Sequence, residues 1–355
     1  MAVKCGWNAE LGRTGREFSG TIGSMDARKK KITLSCPVDN YRSGWTIVEF
    51  LVHRFPYHKA EAWARRVASG QVLVNGRAVA AGDPVERDDT VQYTIFHAEP
   101  KVDDRYEVVY EDDVLLAVSK SGNIPVHACG VYITHTLIAE LKKRFGEDIN
   151  LAHRLDRETS GLVLLSKNKH AARVLGGMFQ YGRVVKKYLV IVRGRVPGEV
   201  FNVDAPIGMV PYNRRESSRF REEGFERELA SYLPKRQVDF NSGKPAATRF
   251  ERVGYVDDFS ILRAFPATGR TNQIRVHLAY LGYPVVGDKV YGLSDELKDE
   301  CVHYGLTERV RRELVMDRQA LHCSQLRFTH PSTGVLLHLA APVPEDMRWA
   351  VESEL

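Results

Sequence analysis

The sequence predicts an α+β protein: a mixed, mainly antiparallel sheet domain with flanking helices, preceded by a small α/β module. Three observations lead there. Strand-like and helix-like patterns interleave irregularly, which argues against a doubly wound parallel sheet built from repeated strand-helix-strand units. An Asn75-Gly76 dipeptide between two short apolar alternations marks a two-residue hairpin turn. After Pro100 the composition shifts toward short strands separated by turn residues.

Residues 1–41 mix Gly, Ser, Thr and Lys without clear periodicity and are expected to form a poorly ordered lead segment. The small module is placed at 42–98. Within it Ile47, Phe50, Leu51 and Phe55 recur on one helical face, and Pro56-Tyr57 breaks the pattern. Ala60, Trp63, Ala64 and Val67 mark a second helix that stops at Gly70, a natural C-terminal cap. Val72 and Val74 alternate into the hairpin turn, Val79 lies in the return strand, and Val91, Tyr93 and Ile95 alternate as a further strand.

A larger domain is placed at 103–350. It opens with a hairpin, Tyr106 to Tyr110 and Val114 to Val118 around Asp112-Asp113. Helices are expected from about Thr134 to Phe145 and from His170 to about Gln180, and a strand from Lys187 to Val192. Residues 214–236 are rich in Arg and Glu and read as an exposed, partly helical insertion.

The length of 355 residues suggests two to three domains, and 43% hydrophobic content supports ordinary globular cores. A formal net charge of +6 suits a polyanionic partner, and the basic residues cluster: Arg28-Lys29-Lys30-Lys31, Lys142-Lys143-Arg144, and the run from Arg183 to Arg195, which has no acidic residue. Five widely spaced cysteines argue against a disulfide framework and for a reducing, cytoplasmic setting. Cys301, His303, His322 and Cys323 lack metal-ligand spacing, so no metal is expected. No apolar stretch approaches the roughly 18 residues of a membrane span, and the N-terminus lacks the apolar core of a secretory signal.

One loop-like run stands out. His153-Arg154-Leu155-Asp156-Arg157-Glu158-Thr159-Ser160-Gly161 precedes the strand-like Leu162-Val163-Leu164-Leu165. Asp, Ser and Gly also suit an ordinary turn, and alone the run would read as one. An aspartate between Arg154 and Arg157 has cations on both sides, however, and these favour its ionised form as a nucleophile or base. Glu158 raises a glycosidase-like pair of carboxylates, discounted because that chemistry needs one carboxylic acid held protonated.

Two further segments point the same way. One is Arg183-Val184-Val185-Lys186-Lys187-Tyr188; the other is Thr268-Gly269-Arg270-Thr271-Asn272-Gln273-Ile274-Arg275-Val276-His277-Leu278, continuing through Gly287-Asp288 to Tyr291-Gly292. With the loop, and with the closing Leu321-His322-Cys323, His330-Pro331, Thr333-Gly334 and Ala341-Pro342, they resemble the catalytic domain of the RluA-type pseudouridine synthases over roughly residues 105–348. Residues 45–96, chiefly Ala68 to Arg77, resemble the RNA-binding module named after ribosomal small-subunit protein four.

The resemblance implies an enzyme that isomerises uridine in structured RNA, ribosomal or transfer, without metal or cofactor, and a monomer is the expected state. A carboxylate then acts directly, either as a nucleophile at the sugar or as a base that removes its 2′ hydrogen. Asp156 is implied as that carboxylate, Arg275 as its fixed cation, and Tyr188 as a stacking ring and proton-handling hydroxyl. Arg154 is implied as the side chain that fills the gap left by an extruded base. Arg157, Lys186 and Arg270 are expected on the RNA side of the site, and Arg54, Lys59, Arg65 and Arg66 on a phosphate-facing patch of the small module. Asn272 stands where that family usually places His, and an amide cannot titrate. The competing reading from another class is a non-catalytic RNA-binding or ribosome-assembly factor on the same fold. A zinc nucleobase deaminase is set aside, because its P-C-x-x-C ligand segment does not occur.

Overall fold

The computed structural model describes residues 9–10, 30–55, 58–97, 99–210 and 236–351. Positions 214–235 of the expected insertion, and most of the expected lead segment, lie outside the described residues. The chain divides into two compact units, Met1–Pro100 and Lys101–Leu355.

In the first unit, strands β1 (Ala9–Glu10), β2 (Lys30–Pro37), β3 (Val72–Val74), β4 (Arg77–Ala78) and β5 (Thr90–His97) form one sheet in the order β1-β2-β5-β3-β4. Helices α1 (Ile47–Arg54) and α2 (Ala60–Ala68) pack with it. Thr46 caps α1 through a reciprocal bond with Glu49, satisfying two amides that a helix start leaves unpaired. Trp63 is fully buried, edge-on to Tyr93 at 5.3 Å, and donates its indole N–H to the Phe55 carbonyl at 3.3 Å. The strand β2 corrects the sequence reading. Ile32, Leu34 and Cys36 are buried on alternate positions, and β2 pairs along its whole length with β5. The lysine run at its start masked that alternation.

The second unit holds a ten-stranded sheet in the path β11-β14-β15-β10-β16-β9-β7-β6, where β6 is Tyr106–Glu111, β7 Leu115–Lys120, β9 Ser160–Ser166, β10 Val185–Arg193, β11 Val200–Asp204, β14 Ala247–Val256, β15 Phe259–Pro266 and β16 Leu321–Thr329. Strand β8 (Asn150–Leu151) pairs with β9 and β17 (Leu336–Ala340) with β16, while β12 (Ile207–Met209) and β13 (Arg236–Val238) form a separate two-stranded ribbon. Every pairing in the large sheet is antiparallel except β9 with β16. The fold class is therefore the expected mixed, mainly antiparallel α+β. Helices α3 (Leu137–Phe145), α4 (Lys169–Gln180), α5 (Gln273–Tyr280), α6 (Asp295–Tyr304), α7 (Glu308–Leu314) and α8 (Glu345–Val351) complete the unit. No helix among the described residues is long and apolar enough to cross a membrane.

Strand β9 is buried at every position, which explains its unbroken apolar sequence. It lies between β7 and β16, with Leu162 to Leu165 at the centre of the main core. Its one parallel pairing sets Ser160 against His322 and Gly161 against Cys323. Across β16, Tyr188 of β10 faces Cys323, just after a register irregularity between Lys187 and Tyr188. The loop that carries Asp156 therefore enters the sheet beside the strand that neighbours Tyr188.

Gly161 makes this close approach possible. Its φ is +105°, and a Cβ there would lie 2.3 Å from the Cys323 carbonyl oxygen. Both effects exclude a larger residue. Gly161→Ala is expected to lower the stability of this unit by about 3 kcal/mol and its thermal midpoint by about 6 to 12 °C. An unchanged melting curve would contradict this packing.

Candidate active site

The loop from Ala152 to Thr159 joins β8 to β9 and is fixed mainly through its backbone. The Leu164 amide donates to His153 Nε2 at 3.0 Å, and the imidazole stacks on Phe179 at 4.7 Å. Burial holds this histidine down to about 3, so it is a neutral structural wedge. The Asp156 carbonyl accepts from the Thr159 amide at 3.1 Å, the Arg157 carbonyl from Lys120 Nζ at 3.0 Å, and the Glu158 carbonyl from Arg318 Nη1 at 3.3 Å. Lys120 is 2% exposed. Burial first, and the nearby Arg318 second, push its ammonium down to about 7.

The side chains behind the loop form ion pairs. Glu158 accepts from Arg157 and from Lys289, both at 2.8 Å, while the Nε–Nη2 edge of Arg318 meets Asp346 at 2.5 and 2.6 Å. A cleft of about 1260 Å³ opens there, lined by Lys120, Arg157, Glu158, Lys289 and Arg318 among others; Asp156, Tyr188 and Arg275 are not in its walls.

On the other side stands Asp156, whose side chain is 24% exposed. Its Oδ2 accepts from Arg275 Nη1 at 2.9 Å. Arg275 is buried on α5 and gives its other edge to Asp288, Nε to Oδ2 at 2.6 Å and Nη2 to Oδ1 at 2.8 Å. Burial opposes both charges of this inner pair. Their mutual attraction outweighs it, so Arg275 stays protonated and Asp288 is held below the usual carboxylate range. Asp288 Oδ1 also accepts the Val290 and Tyr291 amides, at 2.9 and 3.0 Å. The Tyr291 ring lies 5.2 Å from the guanidinium carbon.

Asn272 caps α5 in the left-handed conformation, φ +58°, which asparagine tolerates better than most residues. Its Oδ1 accepts from Arg275 Nη1 at 3.2 Å and its Nδ2 donates to the Tyr291 hydroxyl at 3.3 Å. The position is thus a hydrogen-bonding brace that needs no titrating group. The polar side chains that α5 buries are matched. Gln273 Oε1 accepts from Thr268 Oγ1 at 2.6 Å and from the Arg270 amide at 3.0 Å, and His277 bridges Thr248 Oγ1 and the Ala205 carbonyl, both at 2.9 Å.

Tyr188 is 8% exposed. Burial raises its phenol well above the ordinary value, with Cys323 and then Asp156 adding to the effect, so it keeps its proton at neutral pH. Burial likewise pushes the Cys323 thiol up to about 12.

The structure brings Asp156 and Arg275 into direct contact and sets Tyr188 close enough to sense the Asp156 charge. The cation in contact with Asp156 is Arg275, and the flanking arginines, which the loop sequence also offered as nearby cations, are directed elsewhere. Arg154 is exposed and approaches His127 Nε2 at 3.2 Å, and Arg157 is spent on Tyr132 and Glu158. Lys186 is a second correction: it is 9% exposed, and its Nζ donates to the Thr268 carbonyl at 3.0 Å, so it ties β10 to the Thr268 loop instead of facing RNA. Arg270 is exposed beside the site. In the first unit Lys59 and Arg65 are exposed, Arg54 lies over the Phe55 ring at 5.3 Å, and Arg66 bonds Gln71 at 3.0 Å. Asp288, Lys120 and Lys289 had no assigned role in the sequence. For Asp288 the signal was Gly287-Asp288 within the third segment; for the two lysines no pattern distinguishes them from surface lysines.

A carboxylate fixed by a buried arginine, beside a protonated phenol and with an exposed basic rim, equips a sheet-based enzyme for carboxylate-driven chemistry. Comparison with known proteins makes that specific. The family described as RNA pseudouridylate synthase matches residues 114–280. An uncharacterized RNA pseudouridine synthase, YlyB, of Bacillus subtilis is 31% identical over 301 residues, 81% of this chain and 86% of that protein. The ribosomal large subunit pseudouridine synthase D of Vibrio parahaemolyticus is 29% identical, covering 90% of this chain and 93% of its own. Among solved structures, human RNA pseudouridylate synthase domain containing 1 aligns with a TM-score of 0.50 at 26% identity, over 69% of this chain and 86% of that one. The chain belongs to the RNA pseudouridine synthase family and is an isomerase of that class.

Asp288→Ala is expected to cost about 3 to 5 kcal/mol, because it leaves Arg275 buried with half its compensation gone. The pH dependence has a definite sign. Because Asp288 is depressed in the folded state, its contribution is present above the unfolded value near 3.9 and is lost as pH falls through the folded one. Urea denaturation of wild type and variant from pH 3 to 7 checks this: their difference in midpoint should shrink below about pH 4, and a constant difference would count against the assignment.

Proposed function

We propose that Asp156 is the reacting carboxylate for isomerisation of uridine in structured RNA, ribosomal or transfer. The observation that carries this reading is the 2.9 Å contact from Arg275 to Oδ2, which fixes the carboxylate while its second oxygen stays available. The reaction breaks the bond from the sugar C1′ to N1, turns the base, joins C1′ to C5, and releases the C5 hydrogen as a proton while the freed N1 takes one up. Nothing is added or oxidised, so the residues suffice without a cofactor. Either route, attack at C1′ or removal of the 2′ hydrogen, needs an ionised carboxylate held against a cation.

Tyr188 keeps its proton, so it serves as a flat wall for the turning base and as a hydrogen-bond donor. Arg154, exposed at the loop, fills the gap left by the extruded base. Arg157 acts by locking the loop through Glu158, not by touching RNA. Arg270 reaches the substrate backbone, and the first unit, through Lys59 and Arg65 with Arg54 and Arg66, adds a sequence-independent grip on phosphates. The protein is read as a cytoplasmic monomer.

The test is tritium release from ribosomal and transfer RNA transcripts labelled at uridine C5. Wild type should release tritium from at least one pool, and Asp156→Asn from neither. Arg275→Lys keeps a charge but cannot span both carboxylates, and a loss of about 100-fold is expected. Release by Asp156→Asn at the wild-type rate would remove Asp156 from the chemistry.

A further inference from the structure

Phe240 and Tyr280 are exposed aromatic side chains, 67% and 56%, whose rings meet edge to face at 6.5 Å. Phe240 sits in a turn built to be rigid. Asp239 Oδ1 accepts the Asn241 and Ser242 amides at 2.9 and 3.1 Å, Oδ2 accepts the Ser242 hydroxyl at 2.5 Å, and the Gly243 amide donates to the Asp239 carbonyl at 3.0 Å. The Asp239 amide in turn donates to the Pro206 carbonyl at 2.8 Å, anchoring the turn. The fold thus fixes an apolar ring in water, where it contributes little to the core.

The surroundings are cationic. No acidic side chain occurs from Phe240 to Ala246, Lys244 is exposed in the same loop, and the one carboxylate before it is consumed by the turn. Arg270, also exposed, donates its Nε to the Pro245 carbonyl at 3.0 Å, which places its guanidinium next to Lys244 in the chain. The same features connect to the candidate active site. Tyr280 ends the helix that carries Arg275, five residues earlier and about 7.5 Å along the axis, about the rise of two stacked bases at 3.4 Å each. The ribbon that leads into the Phe240 turn touches the site as well, through the bond from the Tyr291 hydroxyl to the Arg236 carbonyl at 2.9 Å.

We propose that Phe240 and Tyr280 form a stacking platform for an unpaired base of the RNA, a nucleotide or two from the extruded one, with Lys244 and Arg270 on the intervening phosphates. The inference rests on the reading of the site as acting on RNA. Aromatic faces with interleaved cations suit single-stranded nucleic acid, because every base has a face to stack and every link a phosphate to neutralise.

The probe is a fluorescein-labelled 12-nucleotide oligouridylate titrated with the full chain. Phe240→Ala and Tyr280→Ala should each weaken binding about tenfold, with thermal midpoints unchanged because both rings are exposed. Phe240→Leu keeps the bulk but removes the ring face, so it should weaken binding nearly as much. The aromatic variants should keep the wild-type salt dependence, whereas Lys244→Gln should lower the slope of log affinity against log salt by about 0.7. Wild-type affinity in either alanine variant, wild-type affinity in Phe240→Leu, or weakening matched by a lower melting point would overturn the platform. Tritium release separates the two readings: wild-type release with undiminished oligomer binding in the variants removes the platform alone. Failure of release, with binding that still follows the aromatic variants, removes the catalytic assignment alone.

Discussion

The buried guanidinium of Arg275 is the constraint around which the rest of the site is arranged. A cation in a helix that the core covers must be compensated, and Asp288 does this with a two-point contact from a position that is itself fully buried. Two nitrogens of the guanidinium, Nε and Nη2, are then committed, and Nη1 is left to point at Asp156. The inner pair adds little net stability of its own, since desolvation offsets much of its attraction. Its effect is directional. Arg275 cannot turn away from Asp156 without leaving Asp288 unpaired, so the Asp156 carboxylate meets a cation of fixed orientation.

That arrangement dictates the character of helix α5. The helix is buried from Gln273 to Leu278, yet it carries an amide, a guanidinium and an imidazole, each of which would be costly inside the core without a partner. Thr248 serves two of them, Gln273 and His277, and Asn272 braces the third. A satisfied polar network of this kind is rigid, because no member can move without breaking a bond that water cannot replace. The helix therefore behaves as a fixed mount for one arginine.

This explains which parts of the molecule the sequence made legible. Helices with one apolar face, the Asn75-Gly76 turn, the unbroken apolar strand after the Asp156 loop and the mainly antiparallel sheet all follow from local pattern. So did the three segments that converge on the site, because their order along the chain is itself a signal. The partners were less legible. Arg154 and Arg157 adjoin Asp156 in sequence, but backbone direction turns their side chains to His127 and to Glu158, while the cation that matters comes from 119 residues away. Arg275 would pass for a surface strand arginine without its motif, since the helix is buried at every position from Gln273 to Leu278 and its alternating polar and apolar residues carry no helical period. Lys186 reads as an RNA contact by composition, yet strand alternation places it inward. In the first unit, Ile32, Leu34 and Cys36 carried the strand pattern beneath a run of lysines that suggested disorder.

The loop itself shows how the Asp156 side chain is left part-exposed without being left loose. The carbonyls of Asp156, Arg157 and Glu158 are each held by a donor, two of them by the buried cations Lys120 and Arg318. Glu158 absorbs Arg157 and Lys289, so two further cations close to the loop are neutralised before they can compete for Asp156. Backbone restraint on one side and a single oriented cation on the other leave the Asp156 carboxylate with one committed oxygen and one accessible oxygen. A reaction in which a base must detach, turn and reattach needs the sugar held against a stationary group while only the base moves. On the proposed assignment of Asp156, a loop fixed through its main chain is suited to be that stationary group, and a phenol that burial keeps protonated is suited to line the turning space without taking the proton that C5 must lose. On the reading proposed above, the remaining requirement is a grip on the polyanion, and Arg154 and Arg270 are the exposed cations placed for it.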